Sequence, residues 1–311
     1  MNTRRAFLAA AAGYAAAALL APSLGMAQER KDTRLILLGN KGGPTLGGLR
    51  ANFSMLLVIA GVPYVVDCGY GTSRQLIKAG VALEDIRHVF LTHLHSDHSL
   101  ELGPLIYNAW ATDRKFQIDA FGPPGTQRMA LSFMESMQFD IRTRMDDEGK
   151  SDIRRQFSVT DFHAGGVILQ NADVRVSACR VRHPPIEQAY AYRFDSHDRS
   201  VVISGDTAHS PELAVFATGA DILVHECLYL PAMEKLLQQS SDSRRLREHL
   251  LASHSTPEQA GQTASQAGVG TLVLSHLVPG GDPDITDAQW AAGARKHFNG
   301  RIIVGRDLQE I

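Results

Sequence analysis

Excess positive charge is missing from this chain: 31 lysines and arginines stand against 33 aspartates and glutamates. Without a basic surplus there is no general attraction to a phosphate backbone, so nucleic acid is not an expected partner. Cysteine is also scarce. Cys68, Cys179 and Cys227 lack zinc-site spacing, an odd count leaves at least one thiol unpaired, and each lies in or beside an apolar stretch where a small buried hydrophobe is expected. A disulfide between two of them stays open for an oxidising compartment. Long apolar runs are confined to residues 6–21, and sixteen mostly apolar residues fall short of the ~20 that span a bilayer. No composition break marks a linker, and no internal repeat is visible. With 44% hydrophobic residues, the remainder has enough apolar material for a substantial core.

The apolar run follows Arg4 and Arg5 and precedes Pro22, Ser23, Leu24, Gly25, Met26 and Ala27, a stretch that offers small residues at the usual cleavage positions. Residues 1–27 therefore read as an export signal, and Thr3, Arg4, Arg5, Ala6, Phe7 and Leu8 resemble the twin-arginine type. The expectation is a leader over 1–27, passage through the twin-arginine machinery to the periplasm, no stable membrane anchor once the leader is removed, and a functional domain over 28–311. Removing the leader takes away two arginines and no acid, which makes the remainder more acidic.

Apolar, β-branched runs predict strands over 35–38, 55–60, 64–66, 89–91, 174–181, 201–204, 222–224, 272–274 and 302–304. Helical spacing predicts helices over 72–78, 127–137, 211–218, 257–266 and 287–298, two of them opened by Ser210-Pro211 and Thr256-Pro257. The class is mixed α/β. Residues 142–156, highly charged and without period, read as a solvated loop or lid.

What is abundant is histidine, 13 in all, and it is concentrated. Thr92, His93, Leu94, His95, Ser96, Asp97 and His98 directly follow an apolar strand, and a turn leaving a strand can converge several short donor arms that an extended strand cannot. Three later polar residues occupy similar strand exits. His183 follows the 174–181 run, Asp206 lies in Ser204-Gly205-Asp206-Thr207, and His276 follows Leu272, Val273, Leu274 and Ser275. Four such exits make a shared site the natural reading.

This ordered set resembles the signature of the metallo-β-lactamase superfamily across essentially the whole chain after the leader. The resemblance implies an αββα four-layer sandwich with a di-metal site, usually zinc, manganese or iron remaining open. His93, His95 and His183 would hold one ion, Asp97, His98 and His276 the other, and Asp206 would bridge both. It also implies attack by a metal-bridging hydroxide, with Asp97 placed to accept a proton as well as to bind metal.

Three features bear on the substrate. Asp206 separates the chain from true β-lactamases, which lack the bridging aspartate at this point. His254, in His254-Ser255-Thr256, is similar to the histidine that donates a proton to the leaving group in the tRNA 3′-processing and arylsulfatase-like branches; it reads equally as a helix-start residue beside a Ser255 or Thr256 cap. The tRNA-processing branch carries a long basic arm, whereas here 22 residues, read as a tight strand pair, separate His183 from Asp206. Stretches such as Leu37 to Pro44, Phe121 to Gly125 and Ala189 to Phe194 look like the exported arylsulfatase-like group. The expectation is thus an exported di-zinc hydrolase of small-molecule esters, aryl sulfate esters first, with no nucleic-acid partner. A periplasmic phosphodiesterase is the alternative enzyme, and a metal-binding or ligand-sensing module the non-enzymatic one. A homodimer is compatible with all three.

Other residues receive quieter readings. Asp67, at a strand end, is expected to brace the metal loop, and His225-Glu226 is a second candidate for that role. Gly39, Gly42, Gly43, Gly47 and Gly48 lack the Gly-Lys-Ser/Thr ending of a phosphate loop and read as a turn beside the site. His88, His163, His197, His209, His249 and His297 carry no supporting context.

Overall fold

The first strand is apolar on both faces, as a strand buried between two layers must be. In β1 (Arg34–Gly39), Leu35 and Leu37 point one way, Ile36 and Leu38 the other, and all four are buried. The computed structural model describes residues 32–46, 50–114, 116–238 and 240–311; the leader reading of 1–27 lies outside the described residues. After β1 come β2 (Ser54–Ile59), β3 (Val62–Val66), β4 (His88–Phe90), β5 (Ile118–Gly122) and β6 (Phe157–Asp161), which form one sheet. The second sheet holds β7 (Gly166–Gln170), β8 (Val174–Arg180), β9 (Tyr190–Ser196), β10 (Ser200–Ile203), β11 (Ile222–Leu228), β12 (Thr271–Val278) and β13 (Arg301–Val304). A short β14 (Gln309–Glu310) returns to pair with β1.

Both sheets follow one plan, with antiparallel pairings on one side and parallel pairings on the other. The parallel parts are β3-β4-β5-β6 and β10-β11-β12-β13. Between the sheets, Leu35, Leu37, Met55, Leu57 and Phe90 pack with Val176, Tyr192, Phe194, Val201 and Ile203. On the outer face of the first sheet, the helix Leu102–Ala111 buries Leu102, Leu105, Ile106 and Trp110. On the outer face of the second, the helices Pro211–Phe216, Pro257–Ala267 and Asp287–Arg295 bury Leu213, Ala260, Ala264 and Trp290. The result is the αββα sandwich. None of the described helices is long and apolar enough to cross a membrane.

Every strand and helix expected from periodicity is found, with ends displaced by a few residues. The exception is the supposed lid. A helix, Gln138–Glu148, runs through its first half, because Arg144 pairs with both Asp140 (3.0 Å) and Glu148 (2.7 Å) one turn away. Gly149, at φ 70°, ends that helix, and Trp110 Nε1 donates to Ser151 O (2.8 Å), fastening the segment that follows. The three cysteines are free thiols, Cys68 and Cys227 fully buried.

Candidate metal centre

The histidine run leaves β4 at the carboxyl end of the parallel strands, where side chains turn out of the sheet. Asp67, just past β3, supports it from beneath. Fully buried and at φ 62°, it accepts from Thr92 N (2.7 Å), Thr92 Oγ1 (2.8 Å) and His98 Nδ1 (2.8 Å). A non-glycine residue in that backbone region costs about 1–3 kcal/mol, so the three bonds hold a strained corner.

Three of the buried imidazoles spend one nitrogen on the scaffold. His98 Nδ1 donates to Asp67, His183 Nδ1 donates to Ser253 O (3.0 Å), and His93 Nδ1 donates to Thr92 Oγ1 (3.0 Å), whose own proton goes to Asp67. The other nitrogen of each faces inward, and these atoms crowd. His93 Nε2 and His183 Nε2 lie 3.0 and 3.1 Å from His95 Nδ1, and His98 Nε2 lies 3.1 Å from His276 Nε2. His93 Nε2 and His183 Nε2 both face His95 Nδ1, which has at most one proton to give, so one lone pair there stays unmatched; a cation among the three would satisfy them all, which is how this donor set fits metal.

His276 is not at a strand exit. It lies inside β12, where the register against β11 slips so that Glu226 faces Ser275 and Cys227 faces Leu277, leaving His276 as the extra residue of a bulge at φ 44°. The bulge re-aims the ring out of the sheet into the cluster. Asp206 is brought in by the sharp Ser204-Gly205 turn after β10; Gly205, at φ 59°, lies so near the start of β9 and the loop after β4 that a Cβ would fall 2.8 Å from Tyr190 O and 3.0 Å from Thr92 Cβ. The Asp206 carboxylate reaches His98 (3.3 Å), His276 (3.3 Å), His93 (3.9 Å) and His183 (4.0 Å). Asp206 Oδ1 and His276 Nδ1 are buried without a hydrogen-bond partner among the described residues.

Two groups of donors result: His93, His95, His183 and Asp206, and Asp97, His98 and His276. Within each group one atom per residue lies within 4.8 Å of the others. Burial drives His93 well down, His183 down and His95 down to about 4, keeping them neutral and able to donate a lone pair. Burial opposes charge on His98 too, but Asp206, Asp67 and Asp97 outweigh it and hold His98 well above the usual range. Burial alone would raise Asp97 and Asp206, yet His98 and His276 pull both below the ordinary carboxylate range. A carboxylate held so acidic stays ionised and able to bind a cation.

His254 caps the carboxyl end of the helix Ser243–Ser253, while Thr256 forms the capping box of the next helix, so His254 is not that helix's start. It is buried, with Nδ1 3.2 Å from Glu226 Oε1. Glu226 Oε1 also accepts from Thr207 N (3.1 Å) and Ser255 N (3.0 Å), so Glu226 braces His254 together with the turn that carries Asp206. Burial disfavours the imidazolium, but the Glu226 charge and hydrogen bond, with Asp206 and Asp97 behind them, push His254 up to about 9. It is therefore charged at neutral pH. His249, which sequence reasoning set aside, is also here, with its ring 5.9 Å from that of His183 and 5.8 Å from that of His254. Its place on the helix that ends at His254 was the available signal.

The glycine-rich turn closes one side. Gly43 N donates to Asp97 Oδ2 (2.7 Å), and Lys41 Nζ donates to the carbonyls of Gly42 (3.3 Å) and Gly43 (3.2 Å), tying the turn together; Gly47 and Gly48 lie outside the described residues. A Cβ on Gly42 would stand 2.6 Å from His276 Cε1 and 2.7 Å from its Nδ1. Gly42→Ala is expected to push His276 aside and weaken zinc binding by about 10–100-fold, as disturbing the support of a ligand does. A zinc titration equal to that of the unaltered chain would show that His276 tolerates the displacement.

The family described as Anti-Pycsar protein Apyc1 matches residues 34–273. A relative named Ribonuclease Z, from Mycobacterium bovis (strain BCG / Pasteur 1173P2), is 33% identical over 282 residues, covering 89% of this chain and 97% of its own. Among solved structures, the metallo-beta-lactamase fold protein YhfI from Bacillus subtilis aligns with a TM-score of 0.66 at 20% identity, over 90% of this chain and 98% of its own. Human tRNase Z, short form, aligns with a TM-score of 0.65 at 21% identity, over 89% and 98%. The ribonuclease Z likeness overturns two expectations, the aryl sulfate substrate and the exclusion of nucleic acid. The strand pair β9 and β10 between His183 and Asp206 is as short as expected. The length of that connection bears on how an RNA is gripped, however, and not on whether the site can cut a phosphodiester. Net charge misled in the same way, because it describes the surface average rather than the site. This chain, a metal-dependent hydrolase on the metallo-β-lactamase fold, belongs to the Anti-Pycsar protein Apyc1 family.

Proposed function

We propose that the chain is a phosphodiesterase that cleaves RNA in the manner of ribonuclease Z, using two zinc ions. The observation that carries this reading is the meeting of two converging donor groups with a charged, carboxylate-braced His254 in one cavity. His93, His95 and His183 would hold one ion, Asp97, His98 and His276 the other, and Asp206 both. Bound there, divalent cations supply an activated water at neutral pH and neutralise charge on the phosphoryl oxygens. The chain's own residues do the rest. Asp67 and Thr92 fix the tautomers of His98 and His93, Gly43 N–H orients Asp97, and Glu226 orients His254. His254 then gives its proton to the departing ribose oxygen, an alkoxide that leaves poorly without one.

The test is cleavage of a 3′-extended tRNA precursor and of bis-nitrophenyl phosphate, before and after chelation. Both are expected to be cut, with the rate falling below about one-hundredth on chelation and returning with zinc. A chain that retains zinc and cuts neither would be a metal-binding module instead.

A further inference from the structure

The glycine-rich turn stands against one of the two donor groups, that of Asp97, His98 and His276. Gly42 packs on the His276 ring, and Gly43 N donates to Asp97 Oδ2 (2.7 Å). What holds the turn is a buried charge. Lys41 is only 6% exposed, although lysine is almost never so buried unless its ammonium is engaged. Its main chain is fixed by its neighbours, since Lys41 N donates to Ala51 O (3.2 Å) and Gly42 N to Leu277 O (3.1 Å), the residue after the His276 bulge. The ammonium has three protons to give, and the carbonyls of Gly42, Gly43 and Thr45 accept them.

The oxygen of Gly42 and the N–H of Gly43 are the two ends of one peptide group. Lys41 Nζ grips the oxygen (3.3 Å), and the N–H points at Asp97. Because the group is planar, holding one end aims the other. A cation on the oxygen also polarises the peptide and strengthens its N–H as a donor. This peptide joins two glycines, with Gly43 at φ 83°, so it can rotate at little steric cost. Rotated, it would present its oxygen to the Asp97 carboxylate in place of its N–H.

We infer that Lys41 is a positioning residue for Asp97: by holding the Gly42-Gly43 peptide in one orientation, it keeps that carboxylate set for the ion of its own donor group and leaves the other group alone. The inference rests on the two-ion reading of the site. Lys41 also has an opposed effect, because its positive charge is felt at Asp97 and repels a cation bound there. The sign of a substitution therefore separates the two roles. Removing a mere charge tightens the ion beside Asp97; removing a clasp loosens it.

The experiment is a zinc titration, in competition with a chelating indicator, of the unaltered chain, Lys41→Met and Gly43→Ala, with Asp97→Ala marking which of two zinc equivalents depends on that carboxylate. Methionine keeps an unbranched stem and lacks the ammonium. Alanine at position 43 meets no atom within 4 Å but is strained at φ 83°, so it disturbs the peptide while the lysine charge stays. Both variants are expected to bind the marked equivalent about 10–100-fold more weakly and the other within about threefold of the unaltered chain. Tighter or unchanged binding of the marked equivalent overturns the assignment, and so does an equal loss of both equivalents. If Lys41→Met does not fold, Gly43→Ala decides by the same criteria. An unaltered chain that binds a single zinc removes the two-ion reading and the inference with it, an outcome seen before any variant is compared.

Discussion

Asp206→Ala is expected to lower kcat by about a thousandfold or more and to leave the purified chain with less than its full zinc. The reason is its place between the donor groups. Asp206 is the residue whose carboxylate approaches histidines of both, at 3.3 Å from His98 and His276 and at 3.9 and 4.0 Å from His93 and His183. Its Oδ1 has no hydrogen-bond partner among the described residues although it is buried, a costly state for a carboxylate that a bound cation would relieve. Alanine removes the shared ligand and leaves four imidazoles facing one another without a counter-charge. Metal analysis of dialysed protein together with steady-state rates would check this. Full zinc content with a rate within tenfold of the unaltered chain would show that Asp206 is not the shared ligand.

His254→Ala is the second large effect, and its signature lies in the substrate. Loss of the proton donor should slow an RNA phosphodiester by about 10²–10⁴-fold, the usual worth of a positioned general acid. A nitrophenyl ester should lose far less. Phenolic oxygens have acidity near ~10 even without activation, so they depart with little protonation. The imidazolium is stabilised by Glu226 at 3.2 Å and stands at about 9, so the proton is present at neutral pH. His254 also lies near Asp206 and His276, which gives a check on the assignment. If the variant loses zinc, His254 is holding metal; if both esters slow equally, it is not delivering the proton to the leaving group.

Much of the site can be read from local sequence because ligands from one loop must be close in the chain. His93, His95, Asp97 and His98 needed only a strand followed by a turn, and Asp67 only a neighbouring strand end. Other features depend on partners far along the chain. The bulge that turns His276 out of β12 is a register slip against β11, and nothing in Leu274-Ser275-His276 marks it. Glu226 became a partner of His254 through a 28-residue separation that helix Ser243–Ser253 closes in space. His249 looked idle because a helical residue reveals its neighbours only once the helix is docked. The charged helix Gln138–Glu148 was hidden for a different reason, since a helix held by ion pairs on an exposed surface shows no apolar period.

The sequence by itself determined the mixed α/β class and the order in which candidate histidines and aspartates follow apolar strands, because alternation of apolar residues and short-range spacing are local properties. Tertiary structure alone decided which nitrogen each histidine turns inward, how Asp206 stands between the two groups, which carboxylate braces His254, and what else shares the cavity. Those depend on packing two sheets together at one edge, where Asp97 and His276, 179 residues apart in the chain, come within hydrogen-bonding distance.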